Sequence, residues 1–312
     1  MIGSVYDYPV DDNELHEALR STDAGVEEIR RIIRDSPGCV RKRGLGDLLP
    51  LHLMFLHGRS LELDVMRLLL EADPDALAAK SAYGRTPLSL ACSINHRAEI
   101  DDDLLLEVLK LLSTPETIRE PDDRGMYPAH SFALGNAELH GGVLLWFLQE
   151  FPECARQVFN VGGRTLLHCV LSAAPDIAVE VAEAYPEALQ LRDRQGRSPL
   201  DLVYDPIVLQ RMLPFASLDT KLRTWRRLVS GRLLESTWRP ITCLSNLVAV
   251  LWDGIPDKTR AWLVALRFGR VETIRMLVST GMAPNCTSFT MLAHVSSVDV
   301  AYFLIREGLL YD

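Results

Sequence analysis

Hydrophobic residues fall into short stretches with helical spacing, and polar turns separate these stretches. Residues 64–71 (DVMRLLLE) place their apolar side chains at the spacing of one helix face. A polar stretch then leads to Gly84, and Thr86-Pro87 precede a narrow apolar face formed by residues 88–91. The pattern predicts one helix, a finger-like turn and then another helix.

The same pattern returns along the chain with prolines and glycines in register. Leucine-rich stretches are closed, at intervals of 37, 41, 37 and 34 residues, by Pro37, Pro74, Pro115, Pro152 and Pro186. Nine to eleven residues later comes a glycine: Gly46, Gly84, Gly125, Gly162-Gly163 and Gly196. A second proline follows in four units, at Pro50, Pro87, Pro128 and Pro199. Spacing of this kind predicts stacked repeats, each too apolar to be stable alone.

Each punctuating residue has a physical role in the predicted unit. Glycine suits a turn that needs a positive φ angle, so Gly84 and its equivalents are predicted at finger turns. Thr86 is expected to cap the next helix, and proline suits the first helical turn. We call the helix that follows a finger the first helix of its repeat, and the next one the second helix. First helices are predicted at residues 48–55, 127–134, 165–171 and 198–203. Second helices are predicted at residues 104–112, 143–151 and 177–185.

These motifs resemble a known family. Residues 84–91 (GRTPLSLA) and 163–168 (GRTLLH) resemble the G-x-T-P-L-H-x-A signature of ankyrin repeats, and shorter matches lie at 49–52 and 197–200. Residues 265–285 and 298–312 resemble the second halves of two further repeats. The proline and extra residues before the finger are a style seen in protist and algal ankyrin proteins. The resemblance implies an all-α solenoid of about seven or eight units, some of them degenerate.

The predicted organisation has four parts: a leader at 1–12, regular repeats at 13–204, an irregular segment at 205–258 and C-terminal repeats at 259–312. In the irregular segment Asp205-Pro206 predicts a helix start, and residues 218–228 predict a further helix. Residues 231–251 predict another degenerate unit. A helical insertion that breaks the array is the alternative.

The irregular segment also reverses the charge of the chain. The net charge of the protein is −9, whereas residues 211–239 hold seven basic and two acidic residues. This gives +5 there and −14 elsewhere. The basic residues form either a solvated helix face or a docking patch for an acidic partner or nucleic acid, centred on Lys221, Arg223, Arg226 and Arg227. The acidic balance of the whole chain argues against general nucleic-acid binding.

Composition places the protein among ordinary soluble chains, with 48% hydrophobic residues. The N-terminus lacks the basic and apolar regions of a signal peptide, and no apolar run is long enough to span a membrane. The six cysteines form no C-x-x-C pair, which favours reduced thiols in a cytoplasmic or nuclear protein. A monomer is expected.

Candidate catalytic and metal-binding groups have structural explanations. His52, His130 and His168 share one repeat position, which Ser89 and Asp201 occupy elsewhere, so all five are expected to hydrogen-bond near a helix start. Cys92 and Cys169 lie on apolar helices and are expected to be inert. The acidic residues at 99–103 precede a helix and are explained by capping and the helix dipole, with cation binding as the alternative. No phosphate-binding glycine motif is present. The chain therefore predicts no enzyme, cofactor or metal.

The ankyrin resemblance implies protein binding through the finger tips and first-helix surfaces of the concave face. The matching positions are Tyr83, Arg85, Asp123, Arg124, Met126, Tyr127, Arg164, Arg194 and Arg197. Tyrosine and arginine often anchor interfaces. Arg85, Arg164 and Arg197 follow the turn glycine, so pairing with a finger acid such as Asp123 or Asp193 is an equal alternative for them. The predicted function is a protein-binding scaffold. An adaptor of a complex such as a ubiquitin ligase, docking through residues 205–258, is the second hypothesis.

Overall fold

A computed structural model describes residues 13–21, 24–56, 61–94, 100–159, 162–230, 242–282, 295 and 297–307, without the side chains of 242–245. The predicted leader at 1–12 and part of the irregular segment, residues 231–241, lie outside this description. The chain divides into two compact units, one up to Ala174 and the other from Pro175 onward. We call them unit 1 and unit 2. Within the described ranges, none of the helices has the length and apolar character that crossing a bilayer requires.

Unit 1 is helical apart from one short hairpin. Its α-helices are α1 (Glu14–Arg20), α2 (Val26–Asp35), α3 (Pro50–Leu53), α4 (Leu63–Ala72), α5 (Pro87–Ser93), α6 (Asp102–Leu112), α7 (Pro115–Arg119), α8 (Pro128–Gly135), α9 (Gly141–Glu150) and α10 (Leu166–Ala173). Three 3-10 helices span Pro37–Arg41, Pro74–Leu77 and Pro152–Arg156. The antiparallel hairpin pairs β1 (Val158–Phe159) with β2 (Arg164–Thr165).

Unit 2 contains the remaining helices. They are α11 (Pro175–Ala184), α12 (Pro206–Met212), α13 (Leu218–Val229), α14 (Thr242–Gly254), α15 (Lys258–Phe268), α16 (Val271–Ser279) and α17 (Val298–Arg306). Three 3-10 helices span Pro186–Gln190, Pro199–Leu202 and Leu213–Phe215.

Within each unit, first helices stack on first helices and second helices on second helices. In unit 1 the first helices α1, α3, α5, α8 and α10 pack in that order, and α2 packs on α4 and α6 on α9. In unit 2 the 3-10 helix at 199–202, α13 and α15 pack in order as first helices, and α11, α12 and α14 as second helices. Among the described residues, unit 1 contains four successive pairs of first and second helices followed by α10, and unit 2 contains α11 followed by three pairs. This confirms the predicted repeat architecture.

The repeat glycines and caps have their predicted conformations. Each finger contains a glycine with positive φ: Gly46 (76°), Gly84 (68°), Gly125 (74°), Gly162 and Gly163 (101° and 64°) and Gly196 (71°). The side-chain oxygen of Thr86 accepts the Ser89 amide at 3.2 Å, as an N-cap should. The glycine conformations and the Thr86 cap could be predicted from sequence because both follow from local backbone chemistry.

The repeat prolines do more than end the second helix. Each second helix stops two or three residues earlier, and the proline becomes the first residue of a short helix of four or five residues. Proline suits that place because its φ angle is helical and it lacks the amide that a first turn leaves unpaired. These proline-led helices account for the extra residues in the long repeat period.

The irregular segment follows the repeat pattern with weaker local signals. Residues 198–203 form only the 3-10 helix Pro199–Leu202, and not the predicted longer helix. The helix is short because Asp205 precedes Pro206, and a proline restricts the residue before it to extended backbone, which ends helix propagation. α12 and α13 lie where predicted. α13 and α14 pack on each other. The helix predicted at 218–228 and the degenerate unit predicted at 231–251 therefore contribute the first and the second helix of one pair.

Large apolar side chains fill the interior of each unit. Phe132 and Phe147 are fully buried in unit 1, with ring centres 5.8 Å apart. In unit 2, buried Trp225 donates its indole hydrogen to the Ala261 carbonyl at 2.7 Å and lies 5.6 Å from the Trp252 ring. The arginine-rich helix α13 is therefore anchored in the core by its apolar face.

Candidate interaction surfaces

The fingers share one backbone design. In the fingers that start at Gly44, Ser81, Asp122 and Asp193, the first amide donates to the carbonyl of the fifth residue, and the fourth amide donates back to the first carbonyl. Where the first residue has a polar side chain, that side chain accepts the amides of the third and fifth residues, as at Ser81, Asp122 and Asp193. This bonding makes each tip a closed turn.

Hydrogen bonds also join neighbouring fingers in unit 1. The Ala82 amide donates to the Gly46 carbonyl at 2.9 Å, and the Asp123 amide donates to the Tyr83 carbonyl at 3.2 Å. Lys80 forms an ion pair with Glu120 at 2.5 Å. The three fingers at residues 44–48, 81–85 and 122–126 therefore form one connected surface, which we call the finger row.

Several predicted contact residues lie at the exposed edge of the finger row. The side chain of Tyr83 is 64% exposed at its tip, and Asp123 and Arg124 are exposed on the next tip. Met126 and Tyr127 are half-buried, and the Tyr127 ring packs 5.8 Å from that of His130. The structure thus brings these five residues together on adjacent fingers.

Two predicted arginines are instead engaged within the fingers. Arg85 forms an ion pair at 3.6 Å with Asp122 of the next finger, a neighbour of the Asp123 suggested by sequence. Arg197 donates to Asp193 of its own finger at 2.7 Å, and its side chain is only 14% exposed. Burial works against ionisation of Asp193, but hydrogen bonds from the Arg197 backbone and side chain lower the pKa of this carboxyl. Arg164 is half-buried in β2, and Arg194 is exposed.

The first-helix histidines serve the fold. His52 Nδ1 accepts the Leu49 amide at 3.1 Å, while its Nε2 lies 3.1 Å and 3.2 Å from the Ala79 and Arg85 carbonyls of the next repeat. His168 makes the same local contact to the Thr165 amide at 3.3 Å. Burial lowers the pKa of His52 and of His130 to about 4. A neutral imidazole suits this role because it can accept an amide on one nitrogen and donate from the other.

The cysteines and acids also have structural surroundings. Cys39, Cys92, Cys154 and Cys169 are free and buried, and burial raises the pKa of Cys154 to about 12 and of Cys169 to about 11. Asp102 pairs with the buried His140, at 2.5 Å between carboxylate oxygen and Nδ1. In the part of the chain that the structure describes, no group of three His, Cys, Asp or Glu side chains could hold a metal ion.

The predicted basic patch separates into two environments in unit 2. Arg223, Arg226 and Arg227 line a cleft of about 320 Å³ together with residues of the finger that begins at Asp193, whereas Lys221 is not part of its lining. Burial lowers the pKa of Lys221. Arg192, which stands just before that finger, joins the cleft wall. Arg192 and α13 are distant in sequence and come together only by stacking, so sequence spacing does not reveal that they share a cleft.

Comparison with known proteins found a match among solved structures and none among protein families or curated sequences. No protein-family model and no curated protein sequence matches the chain. The ankyrin repeat domain of Bcl-3, a member of the IkappaB family, is 18% identical, with a TM-score of 0.50 over 69% of this chain and 87% of that chain. A structure of the endopeptidase Bd0816 from Bdellovibrio bacteriovorus in complex with immunity protein Bd3460 is 20% identical, with a TM-score of 0.45, and covers 60% of this chain and 89% of the matched chain.

The likeness to the Bcl-3 domain and the stacked helix pairs with closed fingers define the class of fold. The chain has the all-α ankyrin-repeat fold. The long fingers and proline-led helices distinguish its repeats from a minimal helix-turn-helix unit.

Proposed function

We propose that the protein is a non-enzymatic binding module that engages a protein partner through the finger row of unit 1. The observation that carries the proposal is Tyr83, whose large side chain is 64% exposed on a turn that is bonded to fingers on both sides. Displaying an aromatic ring on a rigid support costs little entropy on binding, which suits an interface anchor.

The neighbouring side chains give this anchor a mixed polar rim. Asp123 and Arg124 are exposed on the next finger, and Lys80 and Glu120 form an ion pair beside it. An aromatic centre with charged residues of both signs around it is a common composition for a protein interface. Met126 and Tyr127 would extend the apolar contact where they are half-exposed. The partner-binding set of the proposal is therefore Tyr83, Asp123, Arg124, Met126 and Tyr127.

The surroundings of the buried histidines and cysteines favour a binding protein over an enzyme. Burial lowers the pKa of His52 and of His130, and His52 and His168 bond to backbone groups. Burial also raises the pKa of the Cys154 and Cys169 thiols. These groups are occupied with packing and capping rather than directed at a substrate cavity. An adaptor role through residues 205–258 stays a second prediction, and its described helices serve the packing of unit 2.

Affinity purification followed by mass spectrometry would test the proposal with Tyr83→Ala, and Tyr302→Ala serves as a matched control. Tyr302 lies on α17 in unit 2 and is 67% exposed, so both substitutions remove an equally exposed ring. Melting temperatures are compared first, to show that both variants are folded.

Any partner found is then purified and titrated against the three proteins. We expect Tyr83→Ala to weaken binding by about tenfold or more, as for a central interface aromatic, and Tyr302→Ala to leave it unchanged. Partners that bind wild type and Tyr83→Ala equally would move the interface away from the finger row.

A further inference from the structure

The cleft in unit 2 gathers positive charge that the finger-row proposal does not use. Its volume is about 320 Å³, and its walls include Arg192, Arg223, Arg226 and Arg227 together with Ser198 and Thr220. On α13, the spacing of residues 220, 223 and 227 brings their side chains to one face. The opposite wall comes from the neighbouring finger and the short helix that follows it.

Two of the four guanidinium groups already have carboxylate partners. Arg227 lies 3.4 Å from the buried carboxylate of Asp201 and also donates to the Gly196 carbonyl. Asp201 in turn accepts the Ser198 amide at 2.9 Å, so this acid is held in the fold as a helix cap. Arg223 pairs at 2.7 Å with Asp219, one turn earlier on α13. These pairs neutralise half of the positive charge.

The other two guanidinium groups have no acidic partner among the described residues. Arg226 lies with its guanidinium carbon 3.7 Å from the centre of the Phe268 ring, a contact that orients the group and leaves its hydrogen-bond donors available. Arg192 is exposed and makes no hydrogen bond or ion pair with any residue that the structure describes. The cleft thus carries two uncompensated charges beside two hydroxyl groups.

We propose that this cleft binds the dianionic phosphate of a phosphate monoester. A monoester carries about 1.5 to 2 negative charges at neutral pH, which matches the two uncompensated arginines. A carboxylate or a phosphodiester carries a single charge and would leave one of them unmatched. Planar guanidinium groups bind phosphate oxygens in a two-pronged manner. The hydroxyls of Ser198 and Thr220 border the cleft and are hydrogen-bonded to those of Thr224 and Ser217.

The monoester has two chemical sources, a phosphorylated side chain of a protein partner or a small free phosphate compound. The site lies in unit 2 and does not depend on the finger row of unit 1. Failure of the Tyr83 experiment therefore leaves this proposal standing, and the reverse also holds.

Calorimetric titration of the full chain tests the proposal with defined probes. The probes are inorganic phosphate and three random-sequence peptide pools that differ only in a central phosphoserine, serine or glutamate. The variants are Arg192→Gln and Arg226→Gln, with Arg194→Gln as control. Arg194 is exposed on the same finger as Arg197 but does not line the cleft, so its loss changes net charge equally.

We expect saturable binding of the phosphorylated probes that weakens about tenfold or more in Arg192→Gln and in Arg226→Gln, the effect of removing a charge-assisted hydrogen bond. Arg194→Gln should bind like wild type. Tighter binding of the phosphoserine pool than of inorganic phosphate identifies a partner side chain as the source, and the opposite order identifies a small phosphate compound.

Three results would overturn the proposal. They are the absence of binding of every phosphorylated probe up to about 10 mM, binding of the glutamate pool as tight as that of the tightest phosphorylated probe, and unchanged affinity in both folded arginine variants.

Discussion

The five side chains at one repeat position show how far the hydrogen-bonding role of a single residue can be predicted from sequence. The side chains of His52, His168, Ser89 and Asp201 all bond at the start of a first helix, as their polar character indicated. His130 departs from this pattern, because its ring lies between Tyr127 and Phe159 at 5.8 Å and 6.3 Å. The sequence shows the position but not which neighbour fills the space around it, since that neighbour comes from another repeat.

The buried histidines predict a loss of stability in mild acid. The pKa of His130 is about 4 in the folded protein, against an ordinary value of 6.5, because burial disfavours the imidazolium. As the pH falls from 6.5 toward 4, the unfolded chain takes up a proton that the folded protein refuses. Stability is therefore full above pH 6.5 and declines toward pH 4, by about 2 to 3 kcal/mol for one such group at pH 4.5.

Urea unfolding of wild type and His130→Leu at pH 7 and pH 4.5 measures this contribution. Leucine cannot titrate and suits the apolar surroundings, so the variant should lose less free energy of unfolding between the two pH values. Identical losses in the two proteins would show that His130 is protonated in the folded state.

At the scale of the finger, local chemistry was predictable and contact between fingers was not. The positive φ angles followed from the glycines. The closed turns also have a sequence signal, which is a serine or aspartate three residues before the glycine, as in Ser81-Ala82-Tyr83-Gly84. The pairing of Arg85 with Asp122, and not Asp123, depends on how one finger meets the next. Register between fingers is set by stacking, which spacing alone does not reveal.

Gly84 is constrained both by its positive φ angle and by the close approach of the next finger, whereas Gly46 is constrained by its positive φ angle alone. Both glycines have positive φ, but a Cβ atom at Gly84 would lie 2.9 Å from the Asp123 amide nitrogen, whereas at Gly46 it would meet only the Leu48 side chain at 3.7 Å. Gly46→Ala should therefore cost about 1 to 2 kcal/mol from backbone conformation alone. Gly84→Ala should cost at least about 1 kcal/mol more, because the next finger must move.

The free energy of unfolding in urea checks this comparison, since both glycines belong to unit 1. Hydrogen exchange at the Asp123 amide gives a second readout, because this amide donates to the Tyr83 carbonyl in the intact finger row. Equal destabilisation by the two alanines would mean that the fingers do not approach each other as closely as described.

For the whole molecule, the uneven distribution of charge limits what the basic segment can bind. The protein carries −9 overall, whereas residues 211–239 carry a net charge of +5. The sequence predicted this patch, but not its division among a cleft, an ion pair with Asp219 and a partly buried Lys221. That division depends on which face of α13 points to the core, and the core contacts of Trp225 decide it.

Duplex nucleic acid requires a row of cations along its backbone, whereas α13 offers a single cleft on a chain of net negative charge. Non-specific duplex binders have Kd values of about 10⁻⁴ to 10⁻⁶ M at physiological salt. We expect this protein to bind a fluorescein-labelled 20-base-pair duplex more weakly than about 10⁻⁴ M under those conditions, by fluorescence anisotropy. Arg226→Gln should make no difference there, although it should weaken phosphate binding. Micromolar duplex binding that falls steeply with salt and is lost in Arg226→Gln would instead assign the basic segment to nucleic acid, and the phosphate monoester proposal would fall with it.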